Sequence, residues 1–170
     1  MAAFHHDEVR ELMKYHFKVK TTASDLWQLS MYGTYTSILG VTNAVFTAAM
    51  ILMAVRFFPG AGTVLKVLLI LAICIFPIIQ PLLVYLRAVK QAKALTQEVD
   101  LVFDDEGIHV SMGAQKEKIQ WNAVKGLNKK PTLLVIYSSA QHGYVLNNKV
   151  LGEQKEEFFN YIRSKINVKK

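Results

Sequence analysis

Val67-Leu-Leu-Ile-Leu-Ala-Ile-Cys-Ile-Phe-Pro-Ile-Ile-Gln-Pro-Leu-Leu-Val-Tyr-Leu86 contains no Asp, Glu, Lys or Arg. The earlier stretch Leu26–Val55 contains none either. Crossing a hydrocarbon core takes roughly 20 apolar helical residues at about 1.5 Å each, and both runs meet that length. A soluble helix rarely stays uncharged for so long, so both are read as membrane-spanning. Phe58-Pro-Gly-Ala-Gly62 between them has the composition of a turn. The expected unit is a tight hairpin, with helices over about Tyr35–Phe57 and Thr63–Val89.

Polar residues inside these runs carry the most specific physical signal. Asn43 lies 18 residues before Ala61 and Gln80 lies 19 after it. In an antiparallel hairpin they share one depth. Each amide costs free energy in hydrocarbon unless bonded, and each can satisfy the other. The intramembrane pair Asn43–Gln80 is therefore expected to hydrogen-bond across the hairpin. Gly40, Ala44 and Ala48 add a stripe of small residues. Pro77 and Pro81 should kink the second helix. A pore lining or a partner helix would be the functional use of these polar groups, and it requires an oligomer. No charged residue sits at mid-helix, which argues against a proton pump.

Flanking charge orients the hairpin. Arg10, Lys14, Lys18 and Lys20 precede it, Arg87, Lys90 and Lys93 follow it, and the loop region holds only Arg56 and Lys66. The positive-inside rule puts both termini in the cytoplasm. Met1-Ala-Ala-Phe-His-His-Asp-Glu lacks the basic start and immediate apolar stretch of a signal peptide. The first spanning helix is expected to serve as an uncleaved insertion signal.

Outside the hairpin the pattern is that of strands. Met13, Tyr15, Phe17 and Val19 alternate with Lys14, His16, Lys18 and Lys20, which reads as a half-buried strand. Nothing nearby in sequence can pair with it, so it should dock on the sheet that follows the membrane. Thr21-Thr-Ala-Ser-Asp opens a helix, with a Thr22 or Ser24 cap and Asp25 at the positive dipole end. Trp27, Tyr32 and Tyr35 are expected either at the membrane interface or packed on the soluble domain. From about Leu95, strands are expected at 99–103, 108–112, 116–121, 132–138 and 144–146. A helix over Glu153–Ile166 follows, with Phe158, Phe159, Ile162 and Ile166 on one face. Short antiparallel strands closed by a helix describe a small open barrel or bent sheet.

The segments Phe103-Asp-Asp-Glu-Gly-Ile108, Ile119-Gln-Trp-Asn-Ala-Val124 and Leu133-Leu-Val-Ile-Tyr137, with the closing helix, resemble the YcxB-like membrane proteins of bacteria. The resemblance implies a C-terminal pleckstrin-homology-like domain and a bacterial cell membrane location. It implies no particular activity. The stretch Val145-Leu-Asn-Asn-Lys149 departs from it, where a proline would be expected. The fold class is thus an α+β membrane protein. Its parts are an N-terminal strand and helix (1–34), a two-helix transmembrane hairpin (35–89) and a cytoplasmic pleckstrin-homology-like β domain closed by an α-helix (95–170).

No enzyme is expected. His5-His6-Asp7 reads as a polar terminus, and His16, His109 and His142 lack the helical spacing of a zinc site. Asp104-Asp105-Glu106 could bind calcium or serve as an acid–base pair, but a hairpin turn before Gly107 needs such residues anyway. Cys74 is the single cysteine, so no intrachain disulfide forms. No metal and no cofactor is expected. The net charge is +7, yet after Leu86 14 Lys/Arg are mixed with 9 Asp/Glu and no basic-aromatic motif appears, so nucleic acid is not an expected partner. Lys125, Lys129, Lys130 and Lys149 would attract anionic lipid at about 1 kcal/mol per residue near a surface. A solvated edge is the simpler reading of them.

The leading functional reading is a non-enzymatic membrane-anchored domain that binds protein partners or regulates a membrane process. Anchoring raises the effective concentration of membrane partners. The expected partners are the lipid bilayer, an unknown protein and, for a pore, further copies of the chain. The alternative is a bacterial immunity protein against a membrane-active toxin or bacteriocin. A lipid-modifying enzyme would need clustered polar residues at headgroup level, where the helices carry only aromatic and singly basic ones.

Overall fold

A computed structural model of the chain describes residues 14–95, 97–139 and 142–167. His5-His6-Asp7, Arg10, Met13 and Gln141 lie outside the described residues. The chain divides into two compact units, one of Met1–Thr21 with Leu95–Lys170 and one of Thr22–Ala94. The fold is α+β, with two long apolar helices and antiparallel sheets.

In the first unit, β1 (Tyr15–Val19) pairs antiparallel with β2 (Val99–Phe103), from Tyr15↔Phe103 to Val19↔Val99. β1 is alternately buried and exposed, so its period-two pattern marks the face it buries. Its partner lies on the far side of the entire helical segment. The sheet continues through β3 (Gly107–Met112) to β4 (Gln115–Gln120) in the order β1-β2-β3-β4. A second sheet holds β5 (Gly126–Lys129), β6 (Leu133–Tyr137) and β7 (Gly143–Asn147) in that order.

The sequence pattern missed β5, because Gly-Leu-Asn-Lys offers one apolar residue in a short polar run. Trp121 does not end a strand. It begins a 3-10 turn, Trp121–Ala123, that separates the two sheets. A short helix α5 (Asn148–Leu151) follows β7, and the closing helix α6 spans Lys155–Asn167. Asn147 caps α5 by accepting from the Val150 amide, which accounts for a polar residue where a proline was expected.

The core of this unit is an aromatic cluster. Phe158 lies 4.8 Å from both Phe17 and Phe103, edge-to-face, and 5.0 Å from Tyr15. Such pairs add about 0.5–1.5 kcal/mol beyond the area they bury. β1 supplies Tyr15 and Phe17, so residues on either side of the helical segment share one core.

In the helical unit, α1 (Ala23–Tyr35) opens with a capping box: Thr22 Oγ1 accepts from the Asp25 amide and Asp25 Oδ2 accepts from the Thr22 amide. The helix breaks at Thr36-Ser37, and α2 runs over Ile38–Phe57. Gly40 sits at that break, where a Cβ would lie 2.7 Å from the Tyr35 carbonyl oxygen. A domain of residues 1–34 is therefore divided by the structure, with the strand joining one unit and the helix the other.

The second apolar run is α3 (Thr63–Cys74), a π-helical segment Ile75–Ile79, and α4 (Gln80–Ala94). The π segment follows from the prolines. The Gln80 amide donates to the Ile75 carbonyl, five residues back. In that register the next donor would be Pro81, which has no N–H, leaving the Phe76 carbonyl without its helical partner. Tyr35 Oη donates to this carbonyl at 3.1 Å. Trp27 Nε1 donates to the Pro81 carbonyl at 3.1 Å, with its ring edge-to-face on Tyr85. Trp27 and Tyr35 thus serve packing within the helical unit.

Asn43 is buried and its Nδ2 donates to Gln80 Oε1 at 3.0 Å. The shared depth read from the loop places the two amides in contact. Two helices, Ile38–Gly60 and Thr63–Ala94, are long and apolar enough to cross a membrane. Interhelical amide bonds in lipid couple by about 0.6 kcal/mol on average and about 1.7 at most. A double-mutant cycle of Asn43→Leu and Gln80→Leu, read by unfolding of the full chain in detergent, should return a favourable coupling in that range.

Candidate functional site

Met112↔Gln115 closes the β3–β4 hairpin around the two-residue loop Gly113-Ala114. Gly113 has φ of +59°, the left-handed backbone that a two-residue hairpin of this type needs at its first loop position. In such a hairpin the closing pair is hydrogen-bonded in both directions, and pairs alternate from there. Gln115, Glu117 and Ile119 therefore turn their backbone groups toward β3. Lys116, Lys118 and Gln120 turn theirs outward. β4 ends its sheet, and among the described residues no backbone bond joins it to any strand other than β3.

That outer edge borders a groove. A cavity of about 600 Å³ is lined by β4, Asn122, Ser138, Ser139, His142 and Tyr144. A second, of about 370 Å³, is lined by Val99, Val110, Met112, Gln115–Glu117 and Tyr144. They share Glu117 and Tyr144, and the second reaches under the inner face of the sheet as far as Val99 on β2. The second is apolar on that inner face, where Met112 is exposed. Burial and the Glu117 carboxylate hold the Tyr144 phenol above its ordinary value.

The acidic turn is fully engaged in structure. Asp104 Oδ1 accepts from the Glu106 and Gly107 amides at 2.8 and 2.9 Å, and Oδ2 meets His109 Nε2 at 2.6 Å. The Asp104 carbonyl accepts from both Trp121 Nε1, at 3.0 Å, and Tyr161 Oη, at 2.8 Å. Asp105 pairs with Lys165, which holds its carboxyl below the usual carboxylate range, and Glu106 pairs with Lys118, which raises the Lys118 ammonium. Gly107 is required here, since a Cβ would lie 2.3 Å from the Ile119 carbonyl oxygen. The turn is a knot joining β2, β3, the Trp121 turn and α6. Among the described residues no cluster of three His, Cys, Asp or Glu could hold a metal.

Of the four candidate lipid-contact lysines, Lys129 and Lys130 meet Asn148, the neighbour of Lys149, around Lys155, and Lys125 lies at the other end of β5. Lys125 and Lys129 flank β5, about 13 Å apart at ~3.3 Å per residue. Lys129 pairs with Glu156 and lies over the Phe159 ring. Lys130 lies at the β5–β6 turn, where its amide donates to Leu133. Lys149 is exposed on α5. A fifth lysine, missed in the sequence, ties this corner together. Lys155 Nζ donates at 2.8 Å to the Lys130 carbonyl, the Pro131 carbonyl and Asn148 Oδ1. All its protons are used on neutral acceptors, and no sequence signal marks it.

Residues 103–162 match the family model described as YcxB-like protein. That match covers about a third of the chain. No curated protein and no solved structure matches the chain. The matched segment begins at Phe103 and ends at Ile162, so it contains the acidic turn and the two distant donors to the Asp104 carbonyl, Trp121 and Tyr161. It omits β1 and most of β2, which complete the sheet.

Burial, then the Asp105 and Asp104 carboxylates, push the Tyr161 phenol up to about 12 from an ordinary 10.0. A raised folded value means that its stabilisation is complete below pH 10 and is lost as pH climbs toward 12. Tyr161→Phe should cost about 1 kcal/mol at neutral pH by removing the bond to Asp104. Its melting temperature should also fall less steeply than the wild type's between pH 10 and 12, in melts of the full chain in detergent.

Proposed function

We propose that this is a non-enzymatic multi-pass protein of the bacterial cell membrane, whose pleckstrin-homology-like cytoplasmic domain binds protein partners through the groove beside β4. The observation that carries the membrane part is exposure. Ile38, Val41, Val45, Leu52, Val55, Val64, Leu68, Ile78 and Leu82 are all more than half exposed. Only 11% and 6% of the two apolar windows are buried within the chain. Helices that formed the core of a soluble protein would be mostly buried, and a surface this apolar demands a cover. Lipid supplies it without further protein.

Chain order supports the topology. Val19 and Val99 are paired, so the chain leaves the β unit and returns to it at one place. A spanning segment inserted there crosses an even number of times and has both ends on one side. The cationic flanks favour the cytoplasm as that side. Thr63–Ala94 would be about 48 Å long, more than the roughly 30 Å core, so its end with Arg87, Lys90 and Lys93 reaches the headgroups. The four-plus-three division of strands and the closing helix favour the pleckstrin-homology-like reading. An unpaired sheet edge beside a trough favours a polypeptide as the occupant.

Two labels test this in cells, on a Cys74→Ala background. Ala61→Cys should react with a membrane-impermeant maleimide added outside, and Lys149→Cys should react only after permeabilisation. The reverse pattern would sink the orientation, and equal labelling of both in intact cells would sink the spanning hairpin. A photo-crosslinking amino acid at Asn122, in the groove, should capture a discrete protein. Capture of nothing but lipid would contradict protein binding.

A further inference from the structure

We infer that the groove takes an extended segment of another protein, added as a strand to β4, with acidic side chains outward and apolar side chains inward. This rests on the protein-binding reading above and names the chemistry of the partner. β1, at the opposite end of the four-stranded sheet, is packed by the short helix α5. β4 has no such cover among the described residues. Its free groups, the N–H and C=O of Lys116 and of Lys118, recognise a backbone repeating every two residues. A small molecule has no such repeat.

Side-chain parity then sets the sequence of the occupant. Val110↔Glu117 and Met112↔Gln115 share the inner face of the sheet. An incoming strand's inward residues therefore lie beside Gln115 and Glu117 of β4, at the mouth of the cavity walled by Val110, Met112 and Tyr144. Glu117 stands on that same side and opposes an inward acid. The outward residues lie opposite Lys116, which is exposed, and Lys118, which already pairs with Glu106. Opposite charges across a strand pair are favourable, and like charges are unfavourable.

A second copy of the chain fits poorly. A two-fold pairing of β4 with itself keeps residues of one face opposite each other. Centred on Glu117, it sets Lys116 against Lys118 and Glu117 against itself. Centred on Lys118, it sets Lys118 against itself. Edge lysines of this kind deter self-association while leaving the edge open to an acidic strand.

The test uses the full chain in phosphatidylcholine nanodiscs and three labelled eight-residue peptides. These are alternating Asp-Val, alternating Lys-Val, and Asp-Val with one central Pro. Asp-Val should bind saturably, at least tenfold tighter than either control, and should slow amide exchange at Lys116 and Lys118. Lys116→Pro removes an outward N–H that the sheet does not use, a position where edge strands tolerate proline. It should weaken Asp-Val binding at least tenfold while β3 amides keep their protection. Lys116→Glu, whose native side chain is exposed and has no ion pair among the described residues, should shift the preference toward Lys-Val. Equal binding of Asp-Val and Lys-Val, or unchanged exchange at Lys116 and Lys118 at saturation, overturns the inference. If Asn122 crosslinks a protein while these amides stay unprotected, protein binding stands and strand addition to β4 falls.

Discussion

The fold depends on one pairing, Tyr15–Val19 with Val99–Phe103, made across the whole helical segment. Without it Tyr15, Phe17 and Val19 leave the core, and Phe158 loses two of its three neighbouring rings, keeping Phe103. The closure is long, but its entropy grows only as the logarithm of loop length, about 0.6 kcal/mol per doubling. A helical hairpin that folds first shortens the effective loop further. The long insertion is therefore cheap in free energy, and its reward is an edge-to-face aromatic core drawn from both sides.

Around that core, polar groups work as fasteners. Asp104 accepts bonds from its own turn, from Trp121 and from Tyr161, and so ties two strands, the turn between the sheets and the closing helix. Lys155 does the same at the opposite corner, with carbonyls in place of a carboxylate. In the helical unit, Tyr35 supplies the donor that Pro81 lacks, and Asn43 meets Gln80. Each fastener answers a specific deficit of backbone or side-chain hydrogen bonding. The outer edge of β4 has no backbone partner among the described residues.

The sequence made some of this legible. Period-two alternation located β1, and the scarcity of neighbours for it pointed to a partner beyond the hairpin. Equal distances from the loop located the Asn43–Gln80 contact. The prolines foretold a disturbed helix, although not that it would take π geometry, which depends on a donor from Tyr35 in another helix. The break at Thr36-Ser37 was hidden because the residues on both sides are apolar. β5 was hidden because four polar-leaning residues carry no period.

The groove was invisible for a different reason. Its walls come from β4, the turn after β6 and Tyr144, which are remote in sequence and individually unremarkable. Among the lysines, strand length separates Lys125 from Lys129, at the two ends of β5. Asp104-Asp105-Glu106 reads as a turn from its composition, and each of its carboxylates has a partner within the fold. Pairing and depth follow from periodicity, whereas patches and grooves require the register between strands.

The most direct test of a single domain closed around an inserted helical hairpin is a disulfide at a paired position. Lys18 and Asp100 are registered partners, and antiparallel partners lie about 4.5–5.5 Å apart at Cα, within disulfide reach. The variant Lys18→Cys with Asp100→Cys, on a Cys74→Ala background, should form an intrachain disulfide in native membranes under mild oxidant and lose it when unfolded in detergent before oxidation. No crosslink in native membranes beyond the level of the unfolded chain would contradict the account.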